Sequence, residues 1–398
     1  MTKFDKKMIS LTERLRFKIA IFSVAMMTVL GASLISPALP SISKHFHYVE
    51  NIELLSGLVL TIPALSTALF SPLAGYLLDK FGKLVFLYPA SILWILVGFS
   101  GYFVDNIYLL LLSRFVLGMA TAFITTAASA LLGDYYAVGA GRKDKALSLQ
   151  GLFLAFGGAV MTMIGGFLAS FSWNYVFIVY LSGFLIFFFC IFYLFEPRVN
   201  KNKKALRDEK QRQKVDYKPF VPTYFMGFFV IMMYYLISVQ FPHYIEHNLG
   251  LDAKYIGFAM SASAISYGIF SFLYKDVVKI LGIKKIYIYS LVLQSCSFFM
   301  VYISDSFFIT ILSLFIFGGA GGLVIVNNSA YLLGLAPSYA KARIYSILAS
   351  CMFLGQFISP FITTPLTQSF GIKNEFLIWA LTLLLVGLSY CFFKEKKA

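Results

Sequence analysis

The stretch Gly75-Tyr76-Leu77-Leu78-Asp79-Lys80-Phe81-Gly82-Lys83 closes one apolar run, 51–78, and opens another, 84–103. A charged turn between two apolar helices of membrane length has to stay in water or pair its charges. Gly75 is expected to let a neighbouring helix approach closely, and Gly82 can turn through positive φ. Asp79, Lys80 and Lys83 then sit where the polar headgroups begin. The nine residues therefore mark a tight turn at one face of a membrane.

The rest of the composition agrees. The chain is 59% hydrophobic and 18% aromatic but only 13% charged, far from the average of a soluble domain. Runs of about 20 apolar residues, the length that spans a bilayer, number twelve. They are 17–39, 52–78, 84–104, 107–132, 146–170, 174–195, 219–242, 254–274, 284–303, 307–334, 344–367 and 374–393. The first is too long for a cleavable leader and lacks a small-x-small cleavage site. The formal charge of +15 could suggest nucleic acid, but its distribution argues otherwise. With the N-terminus inside, only Lys44, Lys254 and Lys373 fall outside and only Arg114 falls within a run, which leaves 29 of the 33 Lys and Arg on the inner side. That asymmetry predicts a multi-pass protein of the cytoplasmic membrane with both termini inside and no nucleic-acid partner. The four cysteines lie in apolar runs with no paired spacing, so neither a disulfide framework nor a metal site is expected.

The segment 196–218 holds nine basic residues and separates six runs from six. The expected organisation is a bundle over 1–195, a basic linker over 196–218 and a second bundle over 219–398. Sliding the chain by 200 residues without a gap over 52–132 gives 19 identities in 81 positions, among them Gly82 with Gly282 and Gly118 with Gly318. The fold class that follows is all-α and membrane-embedded: twelve helices in two pseudo-symmetric six-helix bundles, parallel repeats about an axis along the membrane normal.

Between the second and third runs, the Gly75–Lys83 turn resembles the signature loop G-x-x-x-D-x-x-G-[RK] of the major facilitator superfamily. Leu84 stands where a second basic residue is common. The resemblance implies a conformational lock made of Gly75, Asp79, Lys80, Gly82 and Lys83, with Asp79 near the start of the eleventh helix and Arg343. The run Pro37-Ala38-Leu39-Pro40-Ser41-Ile42 resembles the end of the first helix in the drug:proton antiporter branch, with Ser33 where some members carry Asp. In the fifth run Gly157, Gly165 and Gly166, and in the eleventh Gly355 and Pro360, resemble the antiporter motif G-x-x-x-G-P-x-x-G-G. Neither half is complete, and plain helix packing by small residues accounts for the same spacing. Arg114 with Gly118 resembles the R-x-x-x-G signature of the fourth helix, tied in the family to proton coupling.

Polar groups that break the repeat are the candidate site. Arg114 faces Leu314 across the repeat, and Asn327 and Asn328 face Ala127 and Ala128. Gln240 and Gln356 are further isolated amides. In the superfamily's architecture the first, fourth, seventh and tenth helices line the cavity, which favours Arg114, Gln240, Asn327 and Asn328 over Gln294. No carboxylate lies near a run's midpoint, so Glu53, Asp134, Arg114 or one of the terminal histidines His45, His47, His243 and His247 would have to serve proton coupling. The function expected is alternating-access secondary transport by a monomer, exporting a small amphipathic solute in exchange for protons, with no cofactor. An uptake or facilitative carrier without proton coupling is the alternative, and a non-transporting receptor on the same fold a weaker one. No nucleophile, metal or nucleotide constellation suggests an enzyme.

Overall fold

In the computed structural model, residues 9–136, 142–197, 215–337 and 339–392 are described, and among them there is no β-strand. Most of the basic linker, 198–214, lies outside them. The helices are α1 (Leu15–Ser33), α2 (Leu39–His45), α3 (Ile52–Phe81), α4 (Lys83–Ser100), α5 (Ile107–Tyr135), α6 (Arg142–Ala169) and α7 (Gly183–Tyr193). They continue with α8 (Val221–His247), α9 (Ala253–Ile303), α10 (Phe307–Leu335), α11 (Lys341–Phe370) and α12 (Ile372–Ser389). Eleven stretches among the described residues are long and apolar enough to cross a membrane. One of them, α9, runs for 51 residues and changes direction at Gly282, where φ is 73° and ψ 167°, so it holds the eighth and ninth expected spans.

Two boundaries differ from the apolar runs. The first span does not end at 39: a 3-10 turn at Ser36–Ala38 carries it on to His45, because Pro37 and Pro40 sit at turn-initiating positions where a missing N–H costs nothing. The sixth begins as a 3-10 segment, Trp173–Ser182, before α7. Prolines occur inside α3, α4, α8 and α11, as neighbouring helices in a bilayer can satisfy the freed carbonyls. Large apolar side chains such as Leu185, Phe192 and Phe308 are exposed, the surface a multi-pass membrane protein offers to lipid.

The chain divides into two compact units, Met1–Val199 and Asn200–Ala398. Each is closed by the same device. A Cβ on Gly118 of α5 would lie 2.3 Å from the carbonyl oxygen of Pro63 in α3. A Cβ on Gly318 of α10 would lie 2.1 Å from that of Ser263 in α9. Glycine is required at both crossings because backbone meets backbone, and both pairs are related by the 200-residue shift.

Candidate functional site

The turn at Gly82 takes φ 110° and ψ 153°, a conformation that strongly favours glycine. Its repeat partner Gly282 is likewise at positive φ. The N–H groups of Lys83 and Leu84, orphaned at the start of α4, donate to the two carboxylate oxygens of Glu196 at 3.0 and 2.9 Å. Lys83, 6% exposed, forms an ion pair with Asp134 at the end of α5. Tyr135 donates its hydroxyl to the Phe195 carbonyl at 2.5 Å, which holds the segment carrying Glu196 against α5. The sequence reading missed Glu196, since a carboxylate 113 residues downstream of the turn has no local signal.

Of the expected lock, Lys80 lies over the rings of Phe81 and Tyr76. Within its own unit, a Cβ on Gly75 would meet the Thr126 methyl at 4.0 Å, an ordinary contact. Asp79 and Arg343 belong to different units. Asp134, expected as a proton-coupling candidate, is half-buried and paired with Lys83. Removing either partner takes from the other the ion pair that offsets its desolvation. Lys83→Met and Asp134→Asn should therefore each lower stability by about 1–3 kcal/mol, and the double variant by less than their sum. Thermal unfolding in detergent reads this coupling, and strict additivity would refute the pair.

Arg114 is fully buried. Its guanidinium donates to the Tyr180 hydroxyl and to the carbonyls of Val97 and Gly98, each at 3.1 Å. Tyr180 in turn donates to the Gly31 carbonyl of α1 at 3.2 Å, and the guanidinium lies 4.8 Å from the Phe177 ring centroid. Val97 and Gly98 are in the last turn of α4, where carbonyls lack helical partners and attract cations. Arg114 thus fastens α4, the Trp173–Ser182 segment and α1 to α5. No carboxylate pairs with it among the described residues.

In the second unit the amides are also engaged. Gln240 donates to Thr363 Oγ1 at 3.1 Å. Asn327 donates to the Ile283 carbonyl and accepts from Tyr274. Asn328 donates to the Thr223 carbonyl and accepts from Tyr287 at 2.8 Å. Gln356 is half-buried on α11. Gln294, set aside from the sequence, is fully buried and neither of its amide atoms has a hydrogen-bond partner. It lies against Gly321, where a Cβ would come within 3.3 Å of its Nε2 and 3.9 Å of the Tyr234 ring. Tyr234 packs edge-on to Tyr267 at 5.7 Å.

The small-residue motifs serve close packing. A Cβ on Gly165 would lie 2.4 Å from the Leu34 carbonyl oxygen, and one on Gly355 2.3 Å from that of Phe228. Gly157 abuts the flexible Met26 side chain. Gly166 is buried in α6, and Pro360 lies inside α11, where Ser359 donates to the Met232 carbonyl. Glu53 is exposed in the first turn of α3. The described residues hold no group of three metal-ligating side chains.

The family model described as Major Facilitator Superfamily matches residues 21–222 and again 223–398. The chain belongs to the Major Facilitator Superfamily. As a member of it, the protein is a transporter and not an enzyme. It is 22% identical to the class B tetracycline resistance protein of Escherichia coli, over 92% of each chain. It is 24% identical to the multi-drug resistance efflux pump PmrA of Streptococcus pneumoniae, over 88% of this chain and 89% of that one. The match to multidrug resistance protein 1 of Bacillus subtilis, 25% identical, spans only 60% of that protein's length. Among solved structures, a D-xylose–proton symporter superposes with a TM-score of 0.78 at 14% identity, over 96% of this chain and 99% of that one. That likeness is one of fold.

Proposed function

We propose that this superfamily member is a secondary active exporter that exchanges a small amphipathic solute for protons by alternating access. What carries the reading is the match, along nine-tenths of both chains, to proteins named for tetracycline resistance and multidrug efflux. The neutral polar groups of the second unit support it: buried amides and half-buried tyrosines suit a solute with an aromatic body and a few hydrogen-bonding groups. The charge asymmetry supports a place in the cytoplasmic membrane with both termini inside, working as a monomer with a basic linker between bundles.

Solute contacts are assigned to Gln240, Asn327, Asn328 and Gln356, with Gln294 added because its amide is desolvated without a partner, a costly state that a ligand or water would relieve. Arg114 acts by positioning. Purified protein in proteoliposomes, given tetracycline and an imposed proton gradient, tests the function. Uptake that rises with the gradient and collapses with an ionophore is expected; flux indifferent to the gradient would make the protein a facilitative carrier. In the same assay Gln294→Leu should weaken tetracycline affinity at least fivefold, and an unchanged affinity would remove Gln294 from the site.

A further inference from the structure

Proton exchange needs a group that is neutral when buried and ionised when wet, because an unpaired carboxylate out of water is far costlier than a carboxylic acid. The carboxylate and arginine candidates read from the sequence do not offer one. Glu53 is exposed, Asp134 is paired with Lys83, and Arg114 is held by four neutral oxygens. Among the described aspartates and glutamates, Glu375 is the one buried side chain, at 0% exposure. Its carboxyl meets the Thr367 hydroxyl and accepts from Trp379 Nε1 at 3.2 Å. No ion pair reaches it among the described residues.

The surroundings make the group responsive to helix movement. Glu375 lies in the first turn of α12, whose backbone is fixed by Gly371 at φ 80° and by the Glu375 N–H donating to the Gly371 carbonyl at 3.0 Å. Thr367 belongs to α11, two residues beyond Pro365 and seven beyond Pro360. Each proline removes a backbone bond and loosens the helix at that point. Thr363 stands one helical turn before Thr367 on the same face and accepts from Gln240 of α8. One face of α11 therefore joins an amide assigned to solute contact with the one buried acid among the described residues. A shift of α11 would part Thr367 from Glu375 and admit water, and the N-terminal dipole of α12 would then favour the anion.

We propose that Glu375 is the group that binds the exchanged proton, a role that rests on the proton-exchange reading above. In the step, the carboxylate takes a proton from hydronium, one O–H bond forming as water is released, and the neutral acid is buried against Thr367 and Trp379. When solute binding at Gln240 moves α11, the acid returns its proton to water.

Among the described residues, none of the other charged or titratable groups at this end of the unit, Glu246 of α8 included, bonds the Glu375 carboxyl. Lys373 of α12 pairs with Asp305, which follows α9, at 2.6 Å, and Tyr244 of α8 donates to Ser304 and Asp305. His243 and His247 of α8 stack on each other at 5.9 Å. Tyr302 lies near the end of α9, and the charged groups of α11, Lys341 and Arg343, are at its opposite end. Tyr390, in the short 3-10 turn that follows α12, stacks on Tyr287 at 4.6 Å.

The test uses the full chain in proteoliposomes with an entrapped pH-sensitive dye and tetracycline as solute. Wild type should move protons against tetracycline. Glu375→Gln should lose at least tenfold of that proton movement, while exchange of labelled for unlabelled tetracycline at equal pH falls less than threefold. A wild type that moves no protons would overturn the proton-exchange reading itself; a wild type that does and a Gln variant that matches it would overturn the role of Glu375 alone. A second readout needs no solute. Fluorescence of Trp379, taken as the difference from Trp379→Phe, should change with pH in wild type. Glu375→Asp, which keeps an acid should the Gln variant not fold, should displace that pH profile, and a superimposable profile refutes the proposal.

Discussion

Gly118→Ala and Gly318→Ala should be the most damaging additions of a single methyl in the two units. At Gly118 the new carbon would lie 2.3 Å from the Pro63 oxygen and 2.6 Å from its Cα. At Gly318 it would lie 2.1 Å from the Ser263 oxygen and 2.7 Å from the carbonyl carbon. These obstacles are backbone, so no rotamer relieves them and the helices must spread along the crossing. Alanine's better helix propensity returns about 1 kcal/mol, but overpacking costs about 1–3 kcal/mol where side chains can adjust and more where they cannot. A fall in Tm of about 5–10 °C is expected, taking about 2–4 °C per kcal/mol for a unit of this size. Gly75→Ala and Gly133→Ala, with a nearest contact at 4.0 Å and none within 4 Å, should leave Tm within about 2 °C. Equal losses at Gly75 and Gly118 would disprove the close crossing.

Arg114→Leu, which installs the residue its repeat partner Leu314 carries, should lose about 3 kcal/mol of stability. The substitution strips the Tyr180 hydroxyl and the last-turn carbonyls of Val97 and Gly98 of a charged donor in a buried site. Arg114→Lys should rescue little, because a single ammonium cannot span three acceptors that the planar guanidinium reaches together. Kinetics separate positioning from solute contact. A positioning Arg114 lowers the transport rate with KM for tetracycline changed less than twofold, whereas a residue that touches solute raises KM first. A tenfold rise in KM at full stability would return Arg114 to the contact set.

Much of this architecture is legible in the chain because its causes are local. Apolar runs of bilayer length can only be helices, since a membrane offers no other partner for backbone groups. Gly82 and Gly282 announce turns through their permissive backbone, and the repeat carries the pairing of Gly118 with Gly318. Gly75 shows the converse: whether a glycine meets backbone or open space depends on a second helix, and within its own unit a Cβ there meets the Thr126 methyl at 4.0 Å. Arg114 could be singled out as costly, but its acceptors are in α4 and the Trp173–Ser182 segment, and no sequence spacing reveals them.

The amides and carboxylates divide in the same way. Their presence in apolar runs was evident, and so was the asymmetry of Asn327 and Asn328 across the repeat. Which of them has an unmet bond was decided by tertiary contacts alone, for Asn328 finds Thr223 and Tyr287 while Gln294 finds nothing. Glu375 looks from sequence like one more terminal carboxylate beside Lys373. Only the folded unit spends Lys373 on Asp305 and packs Phe376 between Phe241 and Phe298, closing an apolar wall beside the acid. Hydropathy and turn chemistry, being properties of neighbouring residues, determined the twelve helices and their repeat. Burial and pairing are properties of distant ones, so the identity of the responsive groups was set by how α8, α9, α11 and α12 meet.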